Sequence, residues 1–301
     1  MTTDETPTEP DRGSLAMLGV WPNMKLVRAQ VHFNELLARI NSWQSSGPFS
    51  QKAVIADDRM SWRLTLELRQ PPPADEWALI AGDCIHNLRS ALDAAVWGLA
   101  TLNGATPPNP QSLYFPLIED RTKWDPNGLA KVAGVPQEHI DRIESLQPYN
   151  HTTEQGKVSA LTLLHKLDIA DKHHAGVTAS VIPQQLIHNG GIEYHTEEAM
   201  LRNMPPATQL GEPAMQDGAV LLEQTTLDPI KSVRGGFTLN LLTGLTTPYG
   251  VMGLTNTLTL MNKAVVNTLT VIHGGADLLP VSVEVPDDDP PTERPPRDAP
   301  R

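Results

Sequence analysis

The sequence AGDCIHNLRSALDAAVWGL, residues 81–99, decides the fold, because it predicts a helix with one apolar side and one unusual polar side. At 100° per residue the large apolar side chains fall in one narrow sector: Ile85, Leu88, Leu92, Val96 and Leu99. The opposite sector collects short polar residues with one small and one aromatic residue: Asp83, His86, Asn87, Ser90, Asp93, Ala94 and Trp97. Asp, Asn, His and Ser favour helix less than the Lys, Glu and Arg of a normal solvated face. We therefore expect another segment to cover this side and to satisfy its polar groups.

The segment 157–176 is the best candidate for that cover, since it also predicts a helix. Its small and apolar residues share one face: Ala160, Leu163, Leu164, Leu167 and Ala170. Asp171 and His174 lie at the margins of this face, and a separate polar line is formed by His165, Asp168 and Lys172. A histidine and an aspartate beside apolar surface are expected to pair with each other or across an interface. We predict that the segment carrying Asp171 shields the polar side of 81–99.

The rest of the chain predicts further helices and short strands. Apolar residues recur every three or four positions in three more segments, which we interpret as helices over 24–43, 136–146 and 254–273. Strict alternation over 62–69 predicts a half-buried strand, with 53–56 as its hairpin partner. A small sheet is predicted from three β-like runs, over 191–195, 219–224 and 236–242. The predicted fold class is α+β, an antiparallel helical bundle with a β-hairpin and a small antiparallel sheet.

Composition divides the chain into one folded domain and two tails. Hydrophobic residues make up 40% of the chain and six are Trp, which is enough for a real core. Of the formal charge of −12, residues 1–12 and 281–301 each carry −3, and the second segment is rich in proline. We predict a disordered acidic tail over 1–20, a single α+β domain over 21–280 and a disordered tail over 281–301. Within the domain we expect a helical part, a β-rich part and a closing helix, over 21–176, 177–250 and 254–273.

Charge and cysteine content exclude several classes of protein. The absence of a basic run gives no support to a broad contact with nucleic acid or an anionic membrane. The single cysteine, Cys84, excludes an intramolecular disulfide and a multi-cysteine zinc site, and a reducing cytoplasm is the simplest setting. No apolar segment reaches the ~18–20 residues of a membrane span, and the N-terminal residues are acidic rather than signal-like. We expect a soluble cytoplasmic protein whose partner, a protein or a small molecule, the sequence does not identify.

Two blocks of the sequence resemble an uncharacterised family of actinobacterial and phage-associated proteins. That family carries a GDxxHNLRSALDH-like helix and a later LDKHR-like helix, which match residues 82–93 and 171–173 here. The resemblance implies a bacterial or phage-associated protein whose two polar helices face one another, and it implies no activity. The chain departs from the pattern at Ala94, where the family commonly has histidine, and at His174, where it often has arginine.

Two functional classes remain open. The first is a non-enzymatic structural or interaction protein whose polar layer between helices fixes the fold. The second is a hydrolase with its site between helices 81–99 and 157–176. Arg-x4-His on a helix resembles the active-site motif of HEPN-type ribonucleases, but Arg89 has Ala94 in the histidine position. The candidate catalytic residues for acid–base chemistry are His86, Arg89, Asp93, Asp171 and His174.

A divalent metal is the one cofactor that the polar residues suggest. Asp83 and His86 stand three residues apart on one helix, and His165 and Asp168 stand three apart on the other. Two facing helices could therefore supply four oxygen and nitrogen ligands. No dense metal motif such as HExxH is present, so we expect either no cofactor or a metal at these four residues.

Overall fold

A computed structural model describes residues 12–151, 154–173, 177–205, 207–210, 215–274, 278 and 280–286, without the side chains of 12–18 and 173. The described chain is mixed α+β, as predicted, with seven α-helices and antiparallel sheets. The helices are α1 (Arg12–Ser45), α2 (Ala74–Ala100), α3 (Leu129–Lys131), α4 (Gln137–Ser145), α5 (Ala160–His173), α6 (Glu197–Arg202) and α7 (Leu254–Gly274). The strands are β1 (Phe49–Ile55), β2 (Ser61–Leu68), β3 (Lys157–Ser159), β4 (Ala179–Tyr194), β5 (Ala207–Leu210), β6 (Val220–Thr225), β7 (Ile230–Thr247), β8 (Gly250–Gly253) and β9 (Ser282–Glu284).

Helix α2 is the centre of the main core and packs against α1, α5 and α7. It starts after three consecutive prolines. The carboxylates of Asp75 and Glu76 in its first turn stabilise the helix by interacting with the positive end of its dipole. Its predicted apolar sector, including Leu88 and Leu92, is fully buried. At its start, Trp77 meets Trp43 of α1 edge to face, with ring centroids 5.6 Å apart.

The strands form three antiparallel sheets. The orders are β1-β2-β6-β5, β4-β7-β8 and β3-β9. A second, smaller apolar core lies around Trp62, where the four-stranded sheet meets side chains of the long β4–β7 pair. Gly190 and Gly235 pair in that arm so closely that a Cβ on Gly190 would lie 2.5 Å from the Gly235 Cα.

The β part is larger than the sequence predicts, and regular structure extends beyond both ends of the predicted domain over 21–280. The predicted run 219–224 matches β6, whereas the runs 191–195 and 236–242 are parts of the longer strands β4 and β7. In β4, Pro183 and the glycines interrupt the alternation that marks a strand. Helix α1 starts at Arg12 rather than at residue 24 as predicted, and it contains Pro22, although a proline has no N–H to donate inside a helix.

At the other end of the domain, Ser282–Glu284 pairs with Lys157–Ser159, so the fold extends past 280 and the predicted helix 157–176 begins only at Ala160. This pairing joins segments remote in sequence, which local periodicity does not reveal. The rest of the two predicted tails, 1–11 and 287–301, lies outside the described residues. In the part of the chain that the structure describes, no helix is both long and apolar enough to cross a membrane.

Candidate functional site

A line of polar contacts joins α2 to α5. The His86 Nδ1 lies 3.2 Å from the Asp168 Oδ1, and its Nε2 lies 3.4 Å from the Ser90 Oγ. The Lys172 ammonium donates to the other Asp168 oxygen at 2.7 Å. Helical spacing of four places Ser90 above His86 and Lys172 above Asp168, so each helix contributes one pair. The Asp168 side chain is 5% exposed while that of His86 is 47% exposed, so the line runs from the interior to the surface.

A second cluster, on the same helix, attaches a loop to α2. The Arg89 Nη2 donates to the Phe115 carbonyl at 2.6 Å and lies 2.9 Å from the Asp93 carboxylate. The Phe115 backbone N–H donates to that carboxylate at 2.9 Å. The Arg89 side chain is only 4% exposed, and its Nη2 is committed to these bonds, whereas its Nη1 is buried without a hydrogen-bond partner among the described residues. We call these three residues the Phe115 clamp, and we assign it a structural role in holding the buried Phe115 ring in the core.

Burial dominates the electrostatics beside the clamp. It raises the pKa of Asp93 above its ordinary value, and the Arg89 guanidinium and the Phe115 N–H offset this only in part. Burial, followed by the charge of Arg89, lowers the pKa of His165 to about 4. His165 is therefore neutral near pH 7. Its Nδ1 is buried and has no hydrogen-bond partner among the described residues.

Gly82, in the third turn of α2, lies against the side chain of Asp171 near the end of α5. A Cβ on Gly82 would lie 2.8 Å from the Asp171 Oδ1, so only glycine permits this approach. The same Asp171 oxygen accepts a hydrogen bond of 3.4 Å from the Val177 N–H. Gly82 of the family-like motif therefore has a packing role here.

The structure brings together some of the predicted site residues and separates others. His86 and Asp168 are paired, and Arg89 and Asp93 are paired in a different cluster. Asp83 is exposed, and the amide of Asn87 bonds to its backbone carbonyl rather than to another helix. The expected shielding of the polar side is therefore incomplete. His174 lies outside the described residues.

The predicted metal set does not assemble. Over the described residues, no three or more His, Cys, Asp or Glu side chains converge as a metal ion requires. Of Asp83, His86, His165 and Asp168, only His86 and Asp168 are within bonding distance of each other. The i, i+3 spacing placed each pair on one helix, but it did not fix how the two helices are rotated against each other.

Three participants in these contacts are not among the candidate residues that the sequence suggests. Ser90 and Lys172 were recognised as polar but were not proposed for the site, although each stands four residues from a candidate and so can bond to it. The backbone of Phe115 left no sequence signal at all. No protein-family model, curated protein or solved structure matches the chain. The interpretation of the site therefore depends on its own geometry.

Proposed function

We propose that this chain is a non-enzymatic structural protein that acts by self-association, with a second copy docked on the outer side of α1. Five apolar side chains on this side are between 47% and 64% exposed: Val20, Trp21, Met24, Val27 and Val31. No described residue covers them. The opposite side of the same helix, including Leu36 and Ile40, is buried in the core. An exposed apolar stripe on a helix that is already packed favours a contact with another helix.

The spacing of the stripe favours a second copy as the occupant. Positions 20, 24, 27 and 31 follow one another at intervals of four, three and four, which is the heptad spacing of a coiled-coil seam. This order reads the same in both directions, so two antiparallel copies can pair around a two-fold axis. Val20 would then meet the partner's Val31, and Met24 would meet the partner's Val27. Trp21 would lie near the partner's Arg28, where the cation can sit over the indole ring.

The polar layer supports a structural reading of α2 and α5. Arg89, the most deeply buried charge on α2, is bonded within the chain through the Phe115 clamp. Asp168 is likewise paired from both sides, by His86 and Lys172. The Arg89 Nη1 is buried without a hydrogen-bond partner among the described residues, but the bonds that are made join α2 to α5 and to the Phe115 loop, and they favour one arrangement of these elements.

The self-association is tested by the molar mass in solution. The seam has five side chains, far fewer than the roughly 20–30 residues that each partner contributes to a standard interface, so a weak dimer is expected. Light scattering from about 1 µM to about 1 mM should show the mass rise from monomer to dimer. Met24→Glu with Val27→Glu should keep the chain monomeric, whereas Val266→Glu, on the exposed side of α7, should not. A monomer at all concentrations, or a dimer unaffected by the double change, would overturn the proposal.

A second candidate function, a metal-independent hydrolase, is favoured by the order of Ser90, His86 and Asp168. The hydroxyl, the imidazole and the buried carboxylate are arranged in the same order as in enzymes that transfer acyl groups through an activated serine. The distances of 3.4 and 3.2 Å are long for this role, but such bonds tighten when substrate binds. The buried Arg89 is not presented to an RNA phosphate, so the geometry gives no support to a HEPN-like nuclease.

Labelling of the serine separates the two functions. A fluorophosphonate reacts with an activated serine and adds a fixed mass, which intact-protein mass spectrometry detects. The hydrolase predicts one adduct, which is lost in Ser90→Ala, reduced in His86→Ala and unchanged in Ser42→Ala on the exposed part of α1. An unlabelled wild-type chain, or label that persists in Ser90→Ala, would contradict the hydrolase.

A further inference from the structure

We propose that the β-rich part of the chain holds a binding pocket for an uncharged, largely apolar small molecule with one hydrogen-bonding end. The pocket has a volume of about 320 Å³ and lies between β4, α6, the segment after α6, and β6. This volume is within the lower range of small-molecule sites. The proposal is independent of the self-association of α1 and of the contacts between α2 and α5.

Part of the pocket wall is apolar, although Met200 and Met204 are 39% and 66% exposed, and another part is held in place by contacts between aromatic rings. Ile192, Met200 and Met204 contribute apolar surface, and methionine adapts readily to the shape of a ligand. The His188 ring stacks on Phe237 with centroids 4.5 Å apart and an angle of 16° between the planes. Trp62 packs beside both rings, at 6.0 Å from His188 and 5.8 Å from Phe237. The orientation of the histidine is therefore fixed without a ligand.

Two amide side chains that line the pocket are already committed to the protein. Asn203 donates to the Ala199 carbonyl at 2.7 Å and accepts from the Leu227 N–H at 2.6 Å. Gln224 accepts from the Trp62 indole at 3.0 Å and donates to the Thr208 hydroxyl at 2.8 Å. These residues shape the pocket, and they do not supply the contact that a ligand needs.

Two other lining residues each carry a polar atom that is not used in a hydrogen bond within the described part of the chain. The His188 Nε2 and the Tyr194 hydroxyl are buried and have no hydrogen-bond partner in the part of the chain that the structure describes. Buried polar atoms without a partner are rare in native proteins, and a ligand that bonds to them removes the cost. Burial, with a smaller effect from the Asp228 carboxylate, raises the pKa of Tyr194, so its hydroxyl keeps its proton as a donor.

The lining defines the chemical class of the ligand. No charged side chain lines the pocket, so a charged ligand would lose its hydration without gaining an opposite charge. A flat or branched apolar body matches the methionine and isoleucine walls. A carbonyl or hydroxyl at one end can bond to the Tyr194 hydroxyl or the His188 Nε2.

The test uses prodan, an uncharged naphthalene ketone whose emission shifts to the blue in an apolar site. It is excited outside the absorption of tryptophan. Met200→Trp fills the pocket from α6, and Leu201→Trp adds the same ring at the next position of that helix, which does not line the pocket. Tyr194→Phe removes one hydroxyl and keeps the ring.

We expect saturable binding with one prodan per chain. Affinity should fall at least tenfold in Met200→Trp, fall about fivefold in Tyr194→Phe through the loss of one hydrogen bond, and change less than twofold in Leu201→Trp. Absence of binding to the wild-type chain, or equal binding by Met200→Trp, would overturn the proposal. If circular dichroism shows that Met200→Trp is unfolded, Tyr194→Phe decides, since an unchanged affinity would leave the hydroxyl without the proposed role.

Discussion

Arg89 and Asp93, one turn apart on α2, hold the backbone of one loop residue from both sides. The guanidinium donates to the Phe115 carbonyl and the carboxylate accepts from the Phe115 N–H. The two charges also lie 2.9 Å apart, so each stabilises the other in a site with little water. The motif that suggested an active site is therefore, at these two positions, a device for attaching a loop.

Asp93→Ala should destabilise the chain strongly, because it leaves the Arg89 charge buried without its carboxylate. The expected loss is about 2–4 kcal/mol of unfolding free energy, somewhat below the range for fully buried pairs since Asp93 is partly exposed. Urea denaturation measures it. Asp83→Ala, on the exposed side of the same helix, serves as the control and should stay within about 0.5 kcal/mol of wild type. Equal effects of the two changes would contradict the structural role of the clamp.

Stability should fall in mild acid because of His165. Its pKa is lowered from an ordinary value of 6.5 to about 4, so the unfolded chain takes up a proton at a higher pH than the folded chain. The contribution of His165 is therefore complete above pH 6.5 and is lost as the pH falls towards 4. Between pH 6.5 and pH 4 the unfolding free energy of the wild-type chain should fall, and His165→Gln should make this fall smaller by up to about 2–3 kcal/mol.

The matched control is His195→Gln, which makes the same substitution on an exposed residue and should leave the unfolding free energy at pH 7 within about 0.5 kcal/mol of wild type. Burial also lowers the pKa of His273, so some slope in the same direction should remain in both variants. A His165→Gln variant with the full wild-type slope would contradict the assignment.

Gly82→Ala should stabilise α2 by less than the about 1 kcal/mol by which alanine normally favours a helix over glycine. The new Cβ would meet the Asp171 carboxylate at 2.8 Å, and that side chain would have to move. A double-mutant cycle tests the cause. In an Asp171→Ala background the same change should stabilise the chain more than it does in the wild-type background, and an equal effect in both backgrounds would point to another contact.

Gly190→Ala should weaken the β4–β7 arm. Its Cβ would lie 2.1 Å from the Arg234 carbonyl oxygen, and this is backbone that cannot rotate away. We expect a loss of about 1–3 kcal/mol from overpacking, measured by thermal unfolding. Gly191→Ala and Gly236→Ala are close controls, since a Cβ at either position meets nothing within 4 Å. Equal melting temperatures for the three variants would show that the arm accommodates the extra atom.

The sequence predicts well where local periodicity is strong. Helix α2 and helix α7 were both predicted, and the observed α7 ends one residue from the predicted position. Strand β4 was mostly missed, because Pro183, Gly190 and Gly191 break its alternation. Its pairing with β7 depends on contacts remote in sequence, which a single-sequence pattern does not contain.

The candidate site was predictable in part for the same reason. The helical position of His86 and Asp168 follows from spacing, but the rotation that brings them together is set by packing of two helices. The Phe115 clamp uses backbone atoms, which have no sequence signature. The buried Tyr194 hydroxyl could not be recognised either, since nothing in its neighbourhood along the chain marks it as enclosed.

The short pairing of β3 with β9 has a consequence for the N-terminal end of α5, which directly follows β3. The residues before this helix are held by three register positions to a strand near residue 283. A chain shortened to residue 280 would lose that attachment, and the first turns of α5 would be free to fray. Because Asp168 is carried by the same helix, the carboxylate that orients His86 depends on a segment more than a hundred positions further along the chain.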